Sequence, residues 1–468
     1  MATLLNRRST SSNNFSSVLS GTQVSDQVKL DLFNPVTGHK RGTVTNASSE
    51  TVQQSIREAC AGFQVWKDYT PALRSLRLLE FVTELENNSV ELAKAESNST
   101  GKPLAQSLKE VAGAIDVFRF YAGAARTMQT QSAGTYIPDT YSMVMHEPVG
   151  CWGVILPWNY PMMMLAWRIA PILAAGNTAI VKPALSTPDT AVMVAEIAAR
   201  ILPNVLHVLT GDETVGQALV ISDIDGIAFT GSVNTGQSIA KARPDLPVSL
   251  ELGGNGACII LPDAPWFTAR KLVEALIYNA GQSCAAASRI ITVGDCSDFE
   301  NKLIKEIRNT KASKFGPLNN INQKERLAAI LANSSWNHRH QGTCDADGYH
   351  VPAQVYWVSD NSSAIIQEEV FAPVFTVQRV ATISEAITLA NSTEQALSNS
   401  VWTSDIENAL RIASSMQGGE SWINCHLAQS PELPHSGRKQ SGTGVDLSAQ
   451  ALNEYTKVKT ITVGFENG

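Results

Sequence analysis

The feature that most narrows what this chain can fold into is an alternation of short apolar runs with helical stretches, and it occurs twice. Between residues 150 and 231 the runs 152–156, 178–181 and 226–229 are separated by helix-like segments such as 189–202. Continuously apolar strands joined by long crossings suit a parallel sheet covered by helices on both faces, because such strands have no polar side to show to water. A second series starts at 257–261 and runs through a helix at 267–279, a strand at 289–293, a helix at 298–309 and apolar runs at 375–380 and 401–403. The pattern predicts an α/β protein of two or three domains, consistent with 468 residues at roughly 150 per domain.

Folding is expected to begin near Val28, with 33–38 a strand closing in a Pro/Gly turn. Residues 1–25, rich in Ser and Asn, then read as a disordered tail, and Arg7 and Arg8 with no acid before Asp26 lend it a faint likeness to a transit peptide. Val52, Ile56, Cys60 and Phe63 open a stretch of helical spacing that continues to about residue 127. Residues 135–150 alternate around Pro138 and Asp139 and predict a hairpin whose exposed edge could meet a second subunit. The polar stretch 333–349 reads as a surface loop.

Composition removes several function classes. The most apolar stretch, 149–181, is interrupted by Pro157, Pro161, Arg168 and Pro171, so no membrane span is expected. With 36 basic against 43 acidic residues, net charge −7, and no dense basic run, nucleic acid is not an expected partner. Seven scattered cysteines with no CxxC pair fit a reducing, cytoplasmic setting. His338, His340 and Cys344 complete no four-ligand set, so no metal is expected.

Three places could carry chemistry. Gly231 and Gly236 follow a buried strand and precede a helix, an arrangement in which backbone N–H groups meet a phosphate. Gln237 stands where a P-loop needs lysine, which argues against an NTPase, and a ligand-free glycine turn is the plainer alternative. Glu251 ends a strand before Gly253 and Gly254, either as a carboxylate with room to move or as a solvated acid. Cys284 lies among small residues that leave space for a nucleophilic sulfur, although a buried, inert thiol has the same surroundings.

These pieces, combined with PWNYP at 157–161, KPALSTP at 182–188 and EEVFAPV at 368–374, resemble the aldehyde dehydrogenase superfamily in order and over residues 30–465. Within it, DVFRFYAGAARTM at 116–128 and LPHSGRKQSGTGVDLS at 433–448 resemble bacterial gamma-aminobutyraldehyde dehydrogenases. The resemblance implies a Rossmann-like cofactor-binding domain at 26–128 and 149–250 and a catalytic α/β domain at 251–450. It also implies oligomerisation segments at 129–148 and 451–468 in a homodimer or tetramer. Cys284 would add to the aldehyde, the thiohemiacetal would give hydride to NAD, and Glu251 would act as general base for hydrolysis of the thioester. A glutamate at that place favours the free acid over transfer to coenzyme A. Asn159 and the backbone N–H of Cys284 would hold the oxyanion. The implied cofactor contacts are Lys182 at the adenine ribose, Gly231, Ser232 and Gly236 around the pyrophosphate, Glu369 at the nicotinamide ribose, and Trp158, Leu252 and Phe371 nearby.

This sequence departs from the family pattern at several positions. Leu185 stands where a glutamate commonly accepts from the ribose 2′-OH, which leaves NADP open beside NAD. Ala372, the QALS segment at 395–398 and a shortened stretch between Cys284 and Glu369 are further differences, the last expected as trimmed surface loops near 309–316 and 333–349. Tyr160, Trp167 and 422–426, Trp422 included, match tunnel positions by resemblance, and aromatic faces can hold a cationic amine. Glu110 and Asp116 are candidate acidic partners or a solvated helix face, and His435 either borders the tunnel or lies in a surface turn. The expected reaction is oxidation of 4-aminobutanal or another ω-aminoaldehyde. A semialdehyde or betaine aldehyde substrate, or a catalytically weak binding protein of the same fold, are the alternatives.

Overall fold

In the computed structural model, which describes residues 13–465, each series becomes a seven-stranded sheet. The first sheet contains five parallel strands in the order Val248–Glu251, Gly226–Thr230, Cys151–Ile155, Thr178–Lys182 and Leu206–Val208. Thr178–Lys182 is buried at every position, so its continuous apolar character is what a central parallel strand needs. The second sheet runs Gln354–Trp357, Val374–Val380, Arg289–Val293, Ala257–Ile260, Ser398–Trp402 and Glu420–Ile423, all parallel, with His338–Gln341 antiparallel at one edge.

The two sheets present opposite ends to the same crevice. Ile155, Lys182, Thr230 and Glu251 are the last residues of first-sheet strands, and Cys284, Glu369 and Gln395 lie just ahead of second-sheet strands beginning at Arg289, Val374 and Ser398. Open parallel sheets bind ligands beyond their carboxyl ends. Among the described residues, no helix is long and apolar enough to cross a membrane.

Four expectations about the flanks are corrected. The stretch taken as a tail carries strands Asn13–Phe15, Ser17–Leu19 and Thr22–Val24. The last two extend the first sheet beyond Leu206–Val208, where they run antiparallel. Only Val18 and Leu19 enter the core there, too few apolar residues to stand out in a Ser- and Asn-rich sequence. Residues 1–12, with Arg7 and Arg8, lie outside the described residues.

The segment expected as a local hairpin instead forms strand Thr140–Pro148, which pairs antiparallel with Thr456–Gly464 over nine residues. Its local partner contributes a single bridge, Gly134 to Ser142. The loop expected at 333–349 includes the edge strand His338–Gln341, where His338 stacks on Trp357 at 4.6 Å. Finally, Leu447, Ala451, Leu452 and Tyr455 belong to the core of the first domain, with Tyr455 edge-on to Trp152 at 4.7 Å. The chain therefore returns to the first domain before residue 450.

Because Leu19 is 2% exposed, Leu19→Ala should lower unfolding free energy by about 2–5 kcal/mol in urea titrations. A disordered tail would give no change.

Candidate active site

Cys284 is held by a constrained turn. Helix Thr268–Ile277 ends in a short 3-10 turn, Tyr278–Gly281, in which Asn279 and Ala280 take φ values of 49° and 53°. Consecutive non-glycine residues in the left-handed region are costly and need support from their surroundings. Asn279 Nδ2 donates to the carbonyl oxygens of Asn159 (2.8 Å) and Gln282 (3.2 Å), Asn159 Nδ2 donates to Gln282 O (2.9 Å), and Gln282 Nε2 donates to Pro317 O (3.2 Å). Gly254 allows the closest approach, since a Cβ there would stand 2.1 Å from Cys284 O.

Two cavities meet at this cysteine. One, of about 450 Å³, is lined by Trp158, Asn159, Gly231, Ser232, Glu251, Leu252, Glu369 and Phe371 as well as Cys284. The other, of about 430 Å³, also includes Cys284, with Glu110, Asp116, Tyr160, Trp167 and Tyr278 in its walls.

The first cavity has a donor set suited to a dinucleotide. Helix Val233–Ala242 points its N-terminus there, and Ser232 caps it by accepting from Thr235 N at 3.3 Å, leaving first-turn N–H groups for an anion. Glu369 Oε1 accepts from Gly254 N at 3.0 Å. Burial pushes the Glu369 carboxyl up to about 7, against the pull of that N–H and of Arg326. Phe371, at φ 53°, sets its ring edge-on to Trp158 at 5.4 Å. Among the described residues, no group of three or more His, Cys, Asp or Glu side chains is placed to hold a metal.

Glu251 is 3% exposed, and neither carboxylate oxygen has a hydrogen-bond partner. Burial and then the neighbouring Asp446 raise it well above the ordinary carboxylate range, while His435 and Arg168 pull it down. Desolvation of this kind favours the neutral carboxyl and makes the ionised form a stronger base than an exposed carboxylate.

The fold matches those of known proteins over nearly the whole chain. The profile of the aldehyde dehydrogenase family matches residues 23–461. The chain belongs to the aldehyde dehydrogenase family. Human aldehyde dehydrogenase 1A1 is 33% identical, covering 93% of this chain and 91% of its own length. The NAD-dependent aldehyde dehydrogenase of Sinorhizobium meliloti superposes with a TM-score of 0.91 at 29% identity, covering 96% and 95% of the two chains. Betaine aldehyde dehydrogenase from Staphylococcus aureus, solved with NAD+, gives 0.90 at 29%, covering 96% and 94%.

Several residues named from the family resemblance do not line either cavity. Gly236 acts in packing, since a Cβ there would come within 2.5 Å of Leu252 Cδ2. Lys182 is buried away from the lining, its ammonium lowered to about 8 by burial, with Asp212 and Glu213 acting to raise it. Leu185 is partly buried against the first core. Trp422 is buried, donates to Ala428 O at 3.1 Å and packs on His426 at 4.8 Å. His435 is neither a wall of these cavities nor a surface residue: it is 2% exposed, and its Nδ1 lies 2.8 Å from Glu420 Oε2.

The two acids differ. Asp116 is on the exposed rim, paired with Arg119 at 2.7 Å, whereas Glu110 is buried and paired with Lys102 through Oε2, its Oε1 left without a partner. The face of Tyr160 already carries Lys102 Nζ, 4.4 Å from the ring centroid. Arg326, which donates to Glu369 O at 2.7 Å, and Tyr278 were not anticipated. Neither has a local sequence signal, because helix Ile321–Ala332 and the 3-10 turn reach the crevice only through packing.

Gly254→Ala should displace the Cys284 loop and reduce kcat by about 10²-fold, the scale of an ångström-sized misplacement. Steady-state kinetics alongside circular dichroism check this, with kcat near wild type as the contrary result.

Proposed function

We propose that the protein oxidises an ω-aminoaldehyde, with 4-aminobutanal as the leading substrate, to the corresponding ω-amino acid using NAD. The observation that carries this reading is the position of Cys284 where two chemically different cavities meet. The helix N-terminus and Glu369 suit the diphosphate and ribose of a dinucleotide, and the unpartnered Oε1 of Glu110 gives the other cavity an acceptor for an ammonium.

In this mechanism Cys284 Sγ adds to the aldehyde carbon. The new oxyanion receives the Cys284 backbone N–H and the second N–H of Asn159 Nδ2, the first being committed to Gln282 O. The cofactor, when bound, supplies the hydride acceptor. Glu251 then takes a proton from the water that attacks the thioester, and the carboxylate product leaves with Cys284 restored. Since the Glu251 carboxyl is raised, hydrolysis should accelerate as pH rises through its shifted range. Phe371 and Trp158 form an apolar wall beside the reacting carbon.

A homo-oligomer is part of the same proposal. In the ribbon formed by Thr140–Pro148 and Thr456–Gly464, Tyr141, Met145, Val458, Ile461 and Val463 are exposed, an apolar surface of the kind that protein contacts cover.

The direct test is reduced-cofactor formation with 4-aminobutanal, betaine aldehyde, succinate semialdehyde and a simple aliphatic aldehyde, each with NAD and NADP. The highest kcat/KM is expected for 4-aminobutanal with NAD. Glu110→Gln should raise its KM about tenfold, roughly 1.4 kcal/mol, without changing kinetics on the aliphatic aldehyde. Equal kcat/KM for charged and uncharged aldehydes would overturn the aminoaldehyde assignment, and no turnover from folded protein would overturn the oxidation itself.

Cofactor affinity offers a second check. Glu369, at about 7, is mostly neutral at pH 6 and mostly ionised at pH 8, and the ionised form is the better acceptor for ribose hydroxyls. The Kd for NAD should fall by up to about tenfold over that interval, as read by calorimetry. Glu369→Gln should flatten this dependence.

A further inference from the structure

The loop that carries Cys284 is also held from a side the mechanism above leaves unused. Gly254 lets the Cys284 carbonyl pack closely, and the next carbonyl along, that of Ala285, lies 2.8 Å from His426 Nε2. Ala285 is 1% exposed, so its carbonyl oxygen has to find a donor within the protein. His426 follows strand Glu420–Ile423, whereas Cys284 precedes Arg289–Val293, and strands Ala257–Ile260 and Ser398–Trp402 lie between those two in the sheet. The imidazole thus bridges the ends of strands that are not neighbours.

The other ring nitrogen is committed as well. Ser400 Oγ lies 3.0 Å from His426 Nδ1, and Trp402 Nε1 donates to Ser400 Oγ at 3.0 Å. Cys258 Sγ, at 4.0 Å from the same ring nitrogen, is the more distant neighbour. The direction of each bond follows from its chemistry, since an indole N–H can only donate and a carbonyl oxygen can only accept. The Ala285 carbonyl requires the ring proton on Nε2. Nδ1 of the neutral ring then accepts the Ser400 hydroxyl proton, and the Ser400 oxygen accepts the indole N–H. Desolvation holds the imidazole down to about 4, although the Ala285 carbonyl and the field of Glu420 act to raise it.

We propose that His426 is a positioning residue for the nucleophile: its neutral ring, protonated at Nε2, pins the Ala285 carbonyl and so fixes the side chain and backbone N–H of Cys284 where the two cavities meet. The proposal rests on the reading of Cys284 as the nucleophile. Ser283 and Ala285 border the second cavity, and so do Leu427, Gln429 and Ser430 in the segment that follows His426. Leu427 takes a φ of 57°, a left-handed conformation that needs support from its surroundings. One side chain ties the loop that bears the sulfur to an opposing wall of the cavity. Its bond goes to a backbone oxygen and not to a reacting atom, so its contribution to turnover is geometric.

The test is amide hydrogen exchange of the peptide spanning residues 283–288, read by mass spectrometry, with steady-state kinetics on the same full-length variants. A glutamine at 426 can place its amide nitrogen near the position of Nε2 and donate to Ala285 O, whereas an asparagine places its amide near Nδ1 and reaches only Ser400. His426→Asn should speed exchange in this peptide by about tenfold or more and lower kcat by about 10²-fold, with the Kd for NAD unchanged in calorimetry. His426→Gln, which keeps the donor, should stay within about threefold of wild type in exchange and kcat. If His426→Asn does not fold, Ser400→Ala decides the question: it removes the donor to Nδ1, frees the ring tautomer and should move exchange and kcat in the same directions. Unchanged exchange in the asparagine variant, or in Ser400→Ala in its place, would overturn the proposal, as would a glutamine variant as impaired as the asparagine one. Cys284→Ser tests the underlying reading separately: retained turnover would remove Cys284 as nucleophile whatever the exchange shows.

Discussion

The site depends on one buried guanidinium. Arg168, 0% exposed on helix Pro161–Ala174, donates to Thr230 Oγ1 and Ser249 Oγ, each at 2.9 Å, and to Phe229 O at 3.2 Å, and it stands 3.2 Å from Asp446 Oδ1. Those partners belong to two adjacent strands of the first sheet and to the C-terminal stretch returning from the second domain. A planar, permanently charged fork can satisfy separate partners at fixed angles in a way a lysine cannot. Removing it would strand Asp446 without its counter-ion, which typically costs about 3–5 kcal/mol. Asp446 is also the register partner of His435, so the same residue that knits the domains helps to fix that imidazole.

Around that anchor, burial assigns different states to similar groups. Glu251 and Glu369 are both carboxyls lining one cavity, yet Glu251 lacks hydrogen-bond donors and is raised well above the usual range, whereas Glu369 receives the Gly254 N–H and reaches only about 7. Glu420 completes the set, its charge engaged with His435. Different burial and hydrogen bonding of neighbouring acids is how one site can hold a proton acceptor for water and a hydroxyl acceptor for ribose together.

Much of the scaffold was legible in the sequence because central parallel strands have one simple requirement, apolar side chains on both faces. The runs at 152–156, 178–181 and 289–293 match the strands to within a residue at each end. Pairing across long sequence separations was not legible: Thr140–Pro148 finds Thr456–Gly464, and alternation alone does not specify the partner of a strand. Edge strands such as Thr22–Val24 and His338–Gln341 escaped for a related reason, since few of their residues need be apolar. At the site, small residues around Cys284 and glycines after Glu251 marked places where atoms must come close, and the family motifs supplied candidate roles. Glu110 shows the limit, because its place on a helix could not reveal that Lys102 would be buried against it.

The sequence by itself determined the two α/β series and the membership of the aldehyde dehydrogenase family, because apolar periodicity and local motifs are properties of neighbouring residues. Only the tertiary structure decided that Cys284 lies where two cavities join, that His435 pairs with Glu420 in the interior, and that Gly236 and Trp422 serve packing. Those outcomes rest on contacts between segments far apart in the chain and on the desolvation they create, and neither is a property of any one segment.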